Sequence, residues 1–379
     1  MVNMTGGALL AESLIALGVD RVFNVSSTGQ SGFYDALMAR PELALVAAVQ
    51  EGQAVSMAQG YELATGEPAL AMVPSIGIPQ ALSNLYNAYK DGSAVVLITD
   101  GANANDPDGF QHMVGTMDVV DKFTKWCAEA LTPEDIPGLV NQAFDIATKF
   151  PRGPVYVRIT SSALGSRSTS DKDLALHLQS APSPAVECSI DLDQVAGLLV
   201  ESELPLINVG PEISRSGMNA DLVELSELLG IPVTQGLSVT ADFPFQHPLF
   251  AGFYYVGYPR IVKHIDGFVN LGARLPGATS VTTPLSDGVV TIDWPLAGHR
   301  QNLGSGRSVL AELVESIRST TKTAELEAIR QRRVRVVESF RMPAQKRRQQ
   351  EAMQGWDQAP LYTERLYHDL DQLLDDDAS

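Results

Sequence analysis

The chain has 379 residues, 45% of them hydrophobic and 19% charged. At roughly 150 residues per domain this is enough for two or three domains with sizeable cores, which excludes global disorder. A formal net charge of −18 repels polyanions and argues against nucleic acid or anionic membrane surfaces as partners.

Up to about residue 165, short apolar runs alternate with amphipathic segments. A helix over Ala8–Leu17 stops at Gly18 and precedes a strand at Arg21–Val25. The run Leu43–Val49 leads into a helix over Gly52–Ala64, for which Gly66 is a natural C-cap. Ala69–Val73 leads into a helix over Pro79–Tyr89, with Pro79 suited to the first turn. Ala94–Thr99 is a strand, Pro133–Lys149 a helix and Pro154–Ile159 a last strand. This alternation implies βαβ units and a parallel sheet covered on both faces.

Residues 166–187 are rich in Ser, Asp and Pro and read as a linker. A second α/β block follows over 188–320, with strands at Leu204–Val209, Pro232–Gln235, Gly267–Leu271 and Val289–Trp294 and helices at Asp221–Leu229 and Ser308–Ser319. From 321 to 379 the pattern is a helical C-terminal extension, broken near Pro343, with an amphipathic segment around Leu361–Leu373. The fold class expected is therefore α/β, two doubly wound parallel-sheet domains and a helical extension.

The two cysteines, Cys127 and Cys188, have no CxxC or Cys/His spacing, so neither a disulfide framework nor a zinc site is expected. No apolar stretch is long enough to span a bilayer, and the N-terminus has no basic segment followed by an apolar core. A soluble, cytoplasmic protein is the expectation.

One carboxylate stands out. Glu51 is the only charge in Val49–Tyr61, at a junction where a strand turns into a helix. Such a junction lies at the carboxyl edge of a parallel sheet, where open α/β folds build ligand sites. The alternative is a surface glutamate capping the helix, where the dipole favours negative charge.

Around it, several stretches occur in a fixed order. They are Gly18–Phe23 with Phe33–Leu37, Glu51-Gly52 through Gly60-Tyr61 with Ala64-Thr65-Gly66, Ala81-Leu82 through Asn87-Ala88-Tyr89, Ala94–Thr99, Phe110-Gln111, Thr124-Lys125-Trp126 and Gly153–Tyr156. This ordered set resembles the pyrimidine-binding domain of thiamine-diphosphate enzymes, in the branch of acetolactate synthase and benzoylformate decarboxylase. Leu206–Gly210, Gly230–Val233, His247-Pro248-Leu249 and Leu271–Arg274 resemble that family's central domain. Gly210-Pro211-Glu212 is not a GxGxxG, so a dinucleotide fingerprint is absent and a structural central domain is expected.

The resemblance implies thiamine diphosphate as cofactor and Glu51 as the carboxyl that hydrogen-bonds its aminopyrimidine ring. A carboxyl in an apolar wall suits a group that must share a proton. It also implies cofactor contacts at Ser27, Ser75 and Gly77, although Ser75-Ile76-Gly77 replaces the family's Gly-Pro-Gly. Gly77 alternatively caps a strand. Phe110 and Gln111 match a pair that approaches substrate in acetolactate-synthase-like members, and Thr28 and His112 are further substrate candidates; Thr28 alternatively closes a turn, Phe110 packs on the core, and His112 lacks the second adjacent His of the pyruvate decarboxylase branch's proton relay. Gln50 stands where many relatives have His.

Family members carry a third domain, marked by Gly-Asp-Gly and a later Asn, that holds the diphosphate through a divalent metal. That motif does not occur here, and the last residues resemble the lead-in to it. The expectation is the pyrimidine-binding subunit of a split enzyme, with no metal ligand of its own. Mg2+ and the diphosphate would be held by a partner chain, two copies of each subunit forming a hetero-oligomer. The reaction implied makes or breaks a carbon–carbon bond next to a carbonyl, by decarboxylation of a 2-oxo acid or carboligation with an aldehyde. The alternatives are a non-catalytic scaffold or regulatory relative and a 2-hydroxyacyl-CoA lyase subunit.

Overall fold

The structure, a computed structural model, describes residues 4–101, 112–149, 151–168, 191–236, 238–254, 260–273, 285, 288–294, 308–357, 359–360 and 362–373. It divides into two compact units, Met1–Val186 and Glu187–Ser379.

The first unit is a βαβ alternation: α1 (Gly6–Ala16), β1 (Arg21–Asn24), α2 (Ser31–Leu37), β2 (Ala44–Ala47), α3 (Glu51–Thr65), β3 (Ala69–Val73), α4 (Ile78–Asp91), β4 (Val95–Gly101), α5 (Thr116–Val120), β5 (Cys127–Ala130), α6 (Asp135–Thr148), β6 (Val155–Thr160) and α7 (Ser161–Gly165). Its six strands form one sheet in the order β2-β1-β3-β4-β6-β5, every pair parallel. Side chains alternate across it. Val96 and Ile98 pack with Leu10, Leu14, Phe33, Phe144 and Leu164, while Val95 and Leu97 pack with Val55, Ala58, Ile78 and Leu85. Covered on both faces, β3 is wholly apolar and β4 is apolar from Val95 to Ile98, as suits parallel strands.

The order reverses between β1 and β3, since the chain leaves β1 for β2 on one side and returns to β3 on the other. Carboxyl ends of strands at such a reversal open a crevice.

The second unit comprises α8 (Leu192–Glu201), β7 (Pro205–Val209), α9 (Glu212–Arg215), α10 (Asn219–Leu229), β8 (Val233–Gln235), β9 (Phe250–Phe253), β10 (Gly267–Leu271), β11 (Val290–Trp294), α11 (Val309–Thr320), α12 (Thr323–Gln354) and α13 (Thr363–Leu373). Its strands run β11-β10-β7-β8-β9, again all parallel. At its own point of reversal, between β7 and β10, the backbones press together: a Cβ on Gly210 would lie 2.5 Å from the Cα of Ala273.

The expected fold class holds, with local differences. The helices α2, α5, α7, α8 and α9 and the strands β5 and β9 had no counterpart in the sequence pattern. Pro343 does not break the helix: α12 runs through it from Thr323 to Gln354. Proline removes only the bond to the carbonyl four residues back, at Ser339, an exposed position where water can replace it. Residues 166–168 are tied to the first unit, by an antiparallel bridge of Thr5 with Arg167 and by a 2.9 Å bond from the Ser168 amide to the Met4 carbonyl. The first half of α12 belongs to the core of the second unit through Leu326 and Ile329.

Candidate active site

The site is built where β1, β3 and β4 end. From β1, the buried Asn24 donates its amide to the Met72 carbonyl at 3.0 Å and to Gln30 Oε1 at 3.2 Å, which ties the strand end to β3. Ser27 then starts a 3-10 turn over Thr28–Gln30, its hydroxyl oxygen accepting from the Gly29 amide at 3.2 Å. Thr28 is exposed on that turn.

Beyond β3, Pro74 leads into a second 3-10 turn, Ser75–Gly77, closed by a 2.9 Å bond from the Gly77 amide to the Pro74 carbonyl. Ser75 is buried, and its hydroxyl lies 3.3 Å from His112 Nδ1. β4 contributes Asp100, which is 1% exposed. One oxygen of Asp100 accepts the Ser75 amide at 2.7 Å and the other accepts the Ser27 hydroxyl. Gly29 leaves room for this carboxylate, because a Cβ there would lie 2.9 Å from Asp100 Cγ and 2.8 Å from Ser161 Oγ.

Glu51 is the first residue of α3. The helix is capped by Gln50, whose side-chain oxygen accepts from the Gln53 amide at 3.1 Å, so Glu51 is not the capping residue. Its carboxylate is half-buried and makes no hydrogen bond or ion pair among the described residues. The side chain lies across the Ser75–Gly77 turn, where a Cβ on Gly77 would fall 2.5 Å from Glu51 Cδ. Gly52, the next residue, also leaves room for its neighbours. A Cβ on it would lie 2.5 Å from Asn84 Nδ2 and 2.8 Å from the Gln80 carbonyl, so α3 and α4 approach closely at their amino ends. Glu51 is thus an acid in a helix's first turn, without a partner among the described residues, lying across the Ser75–Gly77 turn.

Of the residues singled out in the sequence, Ser27, Thr28, Ser75, Gly77, Glu51 and His112 thus lie on connected turns at this edge. Phe110 and Gln111 lie outside the described residues. Asp100 was missed. Its signal was a lone acid closing the apolar run of β4, where a buried charge must have partners. Three exposed apolar side chains flank these turns: Val49 at 91%, Ile76 at 49% and Val114 at 68% exposure.

Residues 4–121 match the family model described as thiamine pyrophosphate enzyme, N-terminal TPP binding domain. Residues 192–313 match the central domain of the same enzymes. The chain belongs to the thiamine pyrophosphate enzyme family. A probable acetolactate synthase large subunit from Methanocaldococcus jannaschii is 28% identical over 263 residues, covering 66% of this chain and 43% of that protein. Benzoylformate decarboxylase from Pseudomonas aeruginosa is 28% identical over 228 residues, covering 58% and 42%. The chain thus spans less than half the length of these two relatives. In fold it is similar to a thiamine diphosphate-dependent 4-hydroxybenzoylformate decarboxylase from Rhodococcus jostii, with a TM-score of 0.70 and 22% identity over 84% of this chain and 63% of that one. The match to the N-terminal TPP binding domain includes every turn of the site just described.

The residues present fit the pyrimidine end of that cofactor. The place a Gly77 side chain would take is filled by Glu51, whose carboxylate is uncommitted among the described residues. No helix among the described residues is long and apolar enough to cross a membrane.

Proposed function

We propose that this chain supplies the pyrimidine half of a thiamine diphosphate site in an enzyme that makes or breaks a carbon–carbon bond next to a carbonyl. The observation that carries the reading is Glu51: a carboxyl in the first turn of α3, without a protein partner among the described residues, lying across the Gly77 turn. When bound, thiamine diphosphate supplies a carbanion that adds to a carbonyl and stores its electrons. Glu51 hydrogen-bonds the ring nitrogen of the aminopyrimidine and shares a proton with it. Gly77 leaves room for the Glu51 side chain, and the Ser27 and Ser75 turns border the same edge. Thr28 and His112 stand where a 2-oxo acid or aldehyde would approach.

In the same reading, a second polypeptide holds the diphosphate and Mg2+, and the working assembly contains two copies of each chain. Exposed Val49, Ile76 and Val114 on the segments around the site support this, since apolar side chains left uncovered beside a polar centre suit burial by another chain. A cytoplasmic location accords with a chain that has only two cysteines.

The test is to purify the chain with a candidate partner bearing Gly-Asp-Gly and a downstream Asn, add thiamine diphosphate and Mg2+, and compare wild type with Glu51→Gln. Turnover of 2-oxo acids should fall by about 100-fold or more in the variant, while the assembly stays intact. Full activity in Glu51→Gln would remove Glu51 from the chemistry.

A further inference from the structure

We infer that Asp100 is the positioning residue of this site: its buried carboxylate holds the Ser75–Gly77 turn in the place that Glu51 requires. The inference deepens the reading of Glu51 given above and rests on it for its functional arm. Asp100 stands near the end of β4, after Val95 to Ile98, which are fully buried and apolar, and the buried Thr99. A carboxylate there loses its hydration, which is unfavourable unless the protein replaces it with hydrogen bonds. Asp100 finds them on two separate turns, at the Ser75 amide, 2.7 Å away, and at the Ser27 hydroxyl. Neither bond belongs to the sheet, and an apolar residue at that position would make neither.

The consequence passes along the chain. The Ser75 amide opens a three-residue turn whose last residue, Gly77, lies against Glu51. The Ser75 hydroxyl on the same turn holds His112 Nδ1 at 3.3 Å. On the other side the carboxylate sets the Ser27 turn, which bears Thr28. One buried group therefore links the placement of Glu51, His112 and Thr28 without touching the space between them. Loss of the carboxylate frees the Ser75–Gly77 turn to move, and with it the Gly77 backbone that lies against Glu51.

The experiment compares wild type with Asp100→Ala, Asp100→Asn and Ser27→Ala. Amide hydrogen exchange of this chain reads the turn, and kcat and KM of the assembly with its partner, thiamine diphosphate and Mg2+ read the site. In Asp100→Ala, exchange at Ser75–Gly77 should rise by roughly tenfold while the amides of β3 and β4 keep their protection. The kcat should fall by up to about 100-fold with a much smaller change in KM for the carbonyl substrate. Asp100→Asn retains an oxygen for the Ser75 amide and should recover most of both. Ser27→Ala removes only the second bond and should give a smaller rise at the same amides, which keeps the test available if Asp100→Ala fails to fold. Unchanged exchange at Ser75–Gly77, uniform loosening of β3 and β4, or an unchanged kcat in an active assembly would each overturn the inference. Should Glu51→Gln keep full activity while the exchange pattern appears as described, the role of Glu51 falls and the hold of Asp100 on the turn stands.

Discussion

Glu51 occupies the space that a side chain at Gly77 would need: a Cβ there would lie 2.5 Å from Glu51 Cδ and closer still to Cγ and Oε1. Gly77 itself has φ −85° and ψ −3°, a conformation open to any L residue. Gly77→Ala therefore introduces no backbone strain and acts first on Glu51, which supplies the three nearest atoms. The carboxylate must swing into another rotamer, at a cost of about 0.5–1.5 kcal/mol if it is left off a staggered well. The expected result is a loss of about 100-fold in kcat with a melting temperature within a few degrees of wild type. Wild-type turnover in Gly77→Ala would show that the contact has no bearing on the chemistry.

The sheet of the first unit was legible because its central strands are continuous apolar runs between helices with clear punctuation, Gly66 and Pro79 among them. β5 was not, because Cys-Ala-Glu-Ala is an edge strand with only Ala130 fully buried, and its pattern carries no period. Glu51 could be found from its isolation in Val49–Tyr61. Asp100 could not be given its partners, since Ser27 and Ser75 come to it only once the order of β1, β3 and β4 is known. Sequence spacing records the strand that bears a residue and is silent on which loops converge there.

A buried ion pair holds the far end of α3. Arg152 Nη1 lies 3.4 Å from Glu62 Oε1 with side chains 3% and 0% exposed, and 3.2 Å from the Gly66 carbonyl at the helix C-terminus. Breaking such a pair leaves a charge in the interior, whereas removing both partners need not. Arg152→Met and Glu62→Met should each destabilise the first unit by about 3–5 kcal/mol, and the double variant by less than the worse single one. Urea denaturation of the three variants decides this, and additive losses in the double variant would contradict it.

In the second unit Asp242 is fully buried, and burial holds its carboxyl above the ordinary value of 3.8 against the opposing pull of the Ser214, Thr240 and Ser238 hydroxyls. Its Oδ1 accepts from Thr240 Oγ1 at 2.8 Å, and Oδ2 has no hydrogen-bond partner among the described residues. Because the folded state keeps this proton to a higher pH than the unfolded state, the group's contribution is intact below 3.8 and is lost as pH rises through the folded value. Asp242→Asn keeps the Thr240 bond and never ionises. Its melting temperature should match wild type in acid and exceed it by a margin that grows as pH rises from 3.8 through the folded value and then levels off. A constant difference across the pH series would mean that ionisation of Asp242 does not contribute.

Arg333, on α12, is fully buried and donates to four backbone carbonyls: Val200 and Ser202 at the end of α8, Glu203 just beyond, and Leu229, the last residue of α10. Helix carboxyl ends carry partial negative charge and carbonyls without helical partners, so a cation there satisfies both needs at once. Burial lowers the guanidinium's pKa to about 10, and it stays charged at neutral pH. A planar fork of five N–H donors can reach several carbonyls from one position, which a lysine ammonium cannot. Arg333→Met strands these carbonyls in the core and should destabilise the second unit by about 3–5 kcal/mol. Arg333→Lys should recover only a fraction of that loss. Denaturant melts of both variants, followed through the buried Trp294 of the same core, measure the two values. Full recovery by lysine would show that the charge alone matters and that the fork geometry does not.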